Sequence, residues 1–529
     1  MPRTPLLAIA SRALASARLN LRDAPDPGPR AVTRRAALVM LAAGAATACS
    51  PGQMGDGPKD APPVVIVGGG TSGLTVAWRL ALAGRRVAVY ESSGRTGGRM
   101  FTQRNFTPEG QFCELGGELV DTDHLALIGL CKELGIGVER LRPVGDDPTD
   151  IYDFGGKVRT IADLLDPAAQ TGAFLPVAAR IAADQNALLD ANGAWTPRAR
   201  EFDRLPLSKY LDSLKGETEP WVIAFLACAY LGEYGLPLDQ QSSLNLIDFI
   251  GTDTAQRFSV FGDSDESHRI ARGSSTLPET LAARLTSPPL SNRASINLRS
   301  ELVRIARNGS TLTLTFKSPE GVKTISAERV VLALPFTRLR TVEGLGGLGL
   351  SAAKMTAINE LGYGANAKLV VATSSRPWRD GAPFGVNAPS SGSIYTDRGF
   401  QQVWDTSAGQ PGHGGILTNF LAAAQARGEE TPTLRTLEAG LQSLAPDIAS
   451  VLVPELRASF FWPRHPHTLA SYSAAKVGQY AGMIEDAAAT DLDGALLFAG
   501  EHTSVEFNGF MNGAVDAGER VARELMTGP

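Results

Sequence analysis

Apolar positions along the chain follow two rhythms that alternate in blocks. Val64 to Val67 is an unbroken β-branched run of the kind that fills a strand covered on both faces. Glycines follow at positions 68, 70 and 73, and apolar residues at helical spacing then run from Thr71 to about Gly84, where a left-handed stop is available. A second strand-like run, Val87 to Tyr90, ends in Glu91. The order predicts strand, tight turn, helix, strand. From Asp121 to about Ser264 the pattern is mainly helical, clearest in LALIGLCKELGI and WVIAFLACAYLGEYG; Trp221, Phe225 and Tyr230 are expected in a core there. ARGSSTLPETLAARL then reads as a glycine turn entering a helix. INLRSELVRIARNGSTLTLTF shows strand alternation around an Asn308–Gly309 hairpin turn. Arg329 to Pro335 reads as a buried strand stopped by proline, and Leu496 to Ala499 as a last strand before a helix from about Asn512.

The first of these units carries chemistry. Gly68 and Gly70 have no Cβ to keep a pyrophosphate from the backbone, Gly73 lets the helix pack tightly on the strand, and Thr71 and Ser72 open the helix whose N–H groups attract anions. Glu91 stands where an acid accepts hydrogen bonds from a ribose diol. Directly after it, Arg95 and Arg99 flank Gly97 and Gly98; guanidinium forks match phosphate oxygens, and the glycines allow the chain to lie close to a ligand.

The stretch ESSGRTGGR resembles the segment after the first βαβ unit of flavin-containing amine oxidases, the group of monoamine, polyamine and L-amino-acid oxidases. Scattered similarity runs from about residue 62 to 526 and ends in GALLFAGEHTSVEFNGFMNGAVDAGERVARELM. The resemblance implies an α/β fold: a Rossmann-like FAD-binding domain with an interleaved α+β substrate domain. It places the backbone of Val303 at the adenine, Gly500 and Glu501 at the ribityl chain, and Met511 ahead of a helix aimed at the flavin N1 and C2 carbonyl. It gives Lys368, followed ten residues later by Trp378, a water-bridged place at the flavin N5. Tyr472 and Phe510 match the two residues that wall the amine site in monoamine oxidases, which use two tyrosines. Ser471 falls where those enzymes attach flavin through cysteine, so FAD is expected to bind noncovalently. FCELGGELV is expected to pass near the flavin ring. L-amino-acid oxidases commonly carry a Met-Arg pair in this region to hold the substrate carboxylate; Gly117, Glu118 and Leu119 stand here instead, which favours a substrate without a carboxylate.

The activity implied is oxidative deamination of a small-molecule amine, with O2 or another electron acceptor completing the cycle. An L-amino-acid oxidase, an amine dehydrogenase and a lipid-tethered electron-relay flavoprotein are the rivals. Protoporphyrinogen oxidases and carotenoid desaturases share the glycine fingerprint, but the GEHTS stretch and the Lys368 to Trp378 spacing look more like amine oxidases.

Length and charge refine the organisation. A chain of 529 residues with 43% hydrophobic and 20% charged positions is too long for one core. Residues 1–49 read as an export signal, 50–62 as a linker, 63–120, 265–340 and 467–529 as the FAD-binding domain, and 121–264 and 341–466 as the substrate domain. In the leader, Arg34 and Arg35 abut a short apolar run, resembling a twin-arginine signal for export to the periplasm or another extracytoplasmic place. Ala46 to Cys49 resembles a lipoprotein cleavage box, so lipid anchoring at Cys49 stands beside plain cleavage nearby. The net charge is −5, and the arginine-rich first 35 residues leave the remainder at −10, which argues against a nucleic-acid partner. Cys113, Cys131 and Cys228 read as buried apolar residues, with no spacing that suggests a disulfide framework or a metal.

Overall fold

A computed structural model describes residues 62–527 apart from 144–147, 166–173, 253–259, 262–263, 381 and 387–388. The segment expected to be an export signal, with its arginine pair and Cys49, and all but the last residue of the expected linker lie outside the described residues. No described helix is long and apolar enough to cross a membrane.

The uninterrupted apolar character of Val64–Val67 has a direct structural cause. Val64 and Ile66 face one hydrophobic cluster and Val65 and Val67 another, because successive strand side chains point to opposite faces. The strand is the middle of a five-stranded parallel sheet. Val330–Leu332 and then Leu496–Phe498 lie on one side, Val87–Tyr90 and then Ala294–Asn297 on the other. One face is covered by helices Thr71–Leu82, Leu125–Leu134, Thr276–Leu285 and Met511–Thr527. The other is covered in part by the antiparallel strands Glu301–Asn308, Thr311–Ser318 and Gly321–Ala327, whose first turn carries Gly309 at φ +63°. Val330–Leu332, the strand within 329–335, lies inside the sheet with its three side chains fully buried, and the edge strands are Leu496–Phe498 and Ala294–Asn297.

The second sheet has seven strands, in the order Leu452–Phe461, Asn366–Thr373, Gly415–Ala422, Gln402–Asp405, Ser390–Thr396, Thr149–Phe154 and Lys157–Arg159. Every pairing is antiparallel except that of Ser390–Thr396 with Thr149–Phe154. Two of these strands come from the 121–264 segment, which the sequence pattern reads as mainly helical; cross-strand pairing overrides weak local periodicity in so short a run as TDIYDF. That segment also begins on the parallel sheet's side. Leu127, Leu130 and Leu134 pack into the helical layer there, and Val138–Arg140 pairs with His268–Ile270. Trp221, Phe225 and Tyr230 are buried in the cluster under the second sheet. Cys113, Cys131 and Cys228 are free thiols, the first two buried.

Lys354, on helix Ala352–Glu360, is buried completely. Its Nζ donates to Ala487 O at 2.6 Å and lies 4.0 Å over the Phe498 ring. Burial, with the charge of Arg520, lowers its pKa from 10.5 to about 7. The unfolded chain therefore binds the extra proton between these values, and stability contributed by this group rises with pH through that window. The stability gained by Lys354→Met relative to the native chain is expected to be larger at pH 7 than at pH 10, by about 3 kcal/mol. Urea unfolding at the two pH values checks it.

Candidate active site

A cavity of about 490 Å³ lies between the two sheets, and the strand ends at Val67 and Tyr90 open onto it. Gly68 turns the chain at φ +109°, and a Cβ at Gly73 would sit 2.1 Å from Gly68 O, so the helix rests on the strand with nothing between. Gly73 is thus a packing residue, whereas Gly68, Gly70, Thr71 and Ser72 line the cavity. The helix from Thr71 has neither a side-chain cap nor an acid in its first turn, so its positive end is left to whatever occupies the cavity. Buried Glu91 holds this turn from behind. Its Oε2 accepts from Gly69 N–H and its Oε1 from Ser93 N–H, each at 2.7 Å.

The glycine pair docks against the turn. Gly97 N–H donates to Gly69 O at 2.9 Å, and a Cβ at Gly98 would approach Gly70 Cα at 3.4 Å. The two arginines are more committed than a pair of phosphate clamps. Arg95 lies 4.0 Å over the Phe101 ring and turns its fork on its own loop: Nη1 donates to Thr96 O and Met100 O, and Nη2 to Gly98 O at 2.6 Å. A tight glycine loop leaves carbonyls that need donors, and the guanidinium supplies them. Arg99 Nη1 reaches across the chain to Ser471 O at 2.9 Å and Glu501 Oε1 at 2.6 Å.

Glu501 joins the two ends of the polypeptide. Besides Arg99, its carboxylate accepts from Ser473 N–H, from Ser473 Oγ at 2.6 Å and from Gly509 N–H at 2.6 Å. Four bonds fill its lone pairs, so it braces the wall; a ribityl hydroxyl would be a fifth partner. Burial pushes its pKa up, but Arg99, His502 and these hydrogen bonds together hold it below the usual value. Next to it, Gly500 N–H donates to Ser72 Oγ at 2.9 Å. Met511 opens the last helix at the cavity wall, and a Cβ at Gly117 would come 2.7 Å from its Sδ.

Lys368 lies on Asn366–Thr373 and is only 4% exposed. Its Nζ donates to Glu118 Oε2 at 2.7 Å, while Glu118 Oε1 accepts from Thr406 Oγ1 at 2.8 Å. The tryptophan beside this lysine is Trp404, 5.1 Å from its Nζ and on the cavity wall. Trp378, ten residues after the lysine, is buried in a different core and donates to Asp405 at 3.0 Å. Trp404 was legible only through strand alternation, since Gln402 and Trp404 share the cavity-facing side of Gln402–Asp405. Tyr472 and Phe510 both line the cavity, Tyr472 donating to Glu233 O at 2.6 Å. Ser471 Oγ donates to Asn366 Oδ1 at 2.6 Å. Val303 is not on the wall: it sits at a bulge, with its carbonyl taken by Glu343 N–H, and Ser300, Glu301 and Leu302 face the cavity instead.

Residues 71–526 match the family model of flavin containing amine oxidoreductases, and the chain belongs to that family. The family's cofactor is FAD, and the uncapped helix start and the glycine-lined approach to the cavity fit a dinucleotide. The chain is 25% identical to human "Lysine-specific histone demethylase 2" over 87% of its own length, but spans only 53% of that protein. It is 22% identical to "Putative L-amino-acid oxidase YobN" of Bacillus subtilis (strain 168), over 87% of this chain and 94% of that one. In fold it is similar to the solved structure of a putrescine oxidase bound to putrescine, with a TM-score of 0.69 and 20% identity, covering 88% of this chain and 99% of the other. These relatives are named for three different substrates.

Proposed function

We propose that this protein oxidises the carbon–nitrogen bond of a small-molecule amine. The observation that carries the reading is one cavity that brings an uncapped helix start, Lys368 with Trp404, and the rings of Tyr472 and Phe510 together. Gly68, Gly70, Thr71, Ser72, Gly97 and Gly98 would hold the pyrophosphate and its flanks, with Glu91 at the ribose. FAD, when bound, supplies the two-electron oxidant, so that the amine leaves as an imine which water hydrolyses, and O2 recovers the electrons as peroxide. Tyr472, Phe510 and Trp404 bring aromatic side chains to the cavity wall, where they would exclude water and favour the neutral, reactive form of the amine over its ammonium. Lys368, fixed by Glu118, keeps a positive charge at the wall. No side chain here is needed as a nucleophile. On the leader's pattern, the proposal places this activity outside the cytoplasm.

A second reading, oxidation of L-amino acids, rests on Arg142, which lines the cavity and offers a guanidinium for a carboxylate. Against it, Arg142 Nη2 already donates to Ser391 O at 2.9 Å. FAD-loaded protein mixed without oxygen with primary amines, cyclic amines, polyamines and L-amino acids is expected to bleach with amines, and in air to release peroxide. Bleaching by amino acids alone overturns the amine reading, and bleaching without peroxide turns it into a dehydrogenase.

A further inference from the structure

FAD carries a diphosphate, and the two arginines expected to clamp it are spent elsewhere. Arg95 serves the carbonyls of its own loop and Arg99 the buried carboxylate of Glu501. A helix start and glycine N–H groups offer partial charges only, so two full negative charges entering this cavity call for a cation. Among the described residues, the other arginine and lysine side chains on the wall are Arg142, Arg338 and Lys368. Lys368 is paired with buried Glu118, and Arg142 stands against the seven-stranded sheet, where it donates to Ser391 O. His465, near Arg95 and Glu91, is kept neutral: burial, then His467 and Arg95, lower its pKa to about 4.

Arg338 differs in place and in partnership. Strand Val330–Leu332 runs beside Val64–Val67; at its end Ala333 N–H donates to Val67 O at 2.7 Å, and a Cβ at Gly68 would meet Ala333 O at 2.4 Å. The chain then enters the short helix Phe336–Leu339, so Arg338 joins the cavity wall close to the glycine turn. Thr337 Oγ1 donates to Thr468 O and ties this helix down. Arg338 Nη2 donates to Glu301 Oε1, and Ser300 N–H donates to Glu91 O at 2.8 Å, which sets Glu301 beside the acid expected at the ribose. Among the described residues no other hydrogen bond holds the Arg338 guanidinium. The Glu301 side chain is 37% exposed, against 6% for Glu501 and 7% for Glu118. A pair with so wet a carboxylate contributes little and exchanges readily, whereas burial locks the other two.

We propose that Arg338 is the cationic clamp of the FAD diphosphate, giving up Glu301 for phosphate oxygens when the cofactor enters. This rests on the family's cofactor and not on which amine is oxidised. Apoprotein made by dialysis against bromide, with recovery of flavin colour on adding FAD as the control for folding, is titrated calorimetrically with ADP and with adenosine. Arg338→Met is expected to weaken ADP about 10- to 100-fold and adenosine by less than about threefold. Glu301→Gln, which releases the guanidinium, is expected to tighten ADP. The rate at which FAD leaves intact holoenzyme, read as flavin fluorescence recovered on dilution, makes the same comparison without apoprotein: about 10-fold or more faster in Arg338→Met and slower in Glu301→Gln. Equal losses for ADP and adenosine in Arg338→Met, or an FAD release rate it leaves unchanged, overturn the clamp. So does a weakening of ADP in Glu301→Gln that matches the one in Arg338→Met, since the pair would then be a strut.

Discussion

Glu501→Ala is expected to emerge from purification without yellow colour and to unfold more readily than the native chain. The substitution strips four hydrogen bonds at once and leaves Arg99, Ser473 and Gly509 with donors aimed at an empty place. Removing one partner of a buried ion pair costs about 3–5 kcal/mol, because the remaining charge stays desolvated. Two walls loosen together: Arg99 belongs to the glycine-rich loop near the amino end, and Gly509 lies just ahead of the helix that begins at Met511. Glu501→Gln keeps one acceptor but turns an NH2 towards donors, so it is expected to fall between. The ratio of flavin to protein absorbance, with and without added FAD during purification, measures the loss. A fully yellow Glu501→Ala with native stability would show that the carboxylate is incidental. The pH dependence has a definite sign. Since the folded state holds this carboxyl below its ordinary 4.5, its contribution is complete above that pH and fades only as acid titrates through the lower folded value.

What the sequence made legible divides along physical lines. The unit from Val64 to Glu91 could be read because each of its parts is local: burial on both faces gives an unbroken apolar run, and backbone sterics require glycines at fixed offsets. The helix ends at Leu82 with Gly84 at φ +80° beyond it, close to where the pattern stops. Partnerships between distant segments were not legible. Arg95 and Arg99 stand four residues apart in the same motif, but one serves its own loop and the other a carboxylate 402 positions away. Lys368 was legible as a site residue through the resemblance, whereas its real neighbours, Glu118 and Trp404, come from strands and loops that only the tertiary fold brings together.

Lys368→Met is expected to slow oxygen consumption by the reduced protein on the order of 100- to 1000-fold, while changing the rate of anaerobic bleaching by amine far less. Transfer of electrons to O2 builds negative charge on a small molecule inside a cavity of low dielectric, and a fixed cation there lowers the barrier by about 3–4 kcal/mol. Oxidation of the amine builds positive charge on the carbon–nitrogen unit and negative charge on the acceptor of its electrons, so the two effects of the lysine oppose each other and the net change is smaller. The single variant has a second consequence, however, because buried Glu118 loses its ion pair with Lys368 and is left with the hydrogen bond from Thr406 and the more distant charge of Arg269. Loss of stability and loss of oxygen reactivity would then coincide without sharing a cause. Glu118→Gln combined with Lys368→Met separates them, since a neutral amide has no charge to desolvate. The double variant is expected to regain most of the melting temperature and none of the oxygen rate. Recovery of both would make the pair a structural strut. Stopped-flow mixing of photoreduced protein with aerated buffer reads the oxygen step, and a melting curve on the same samples reads the other.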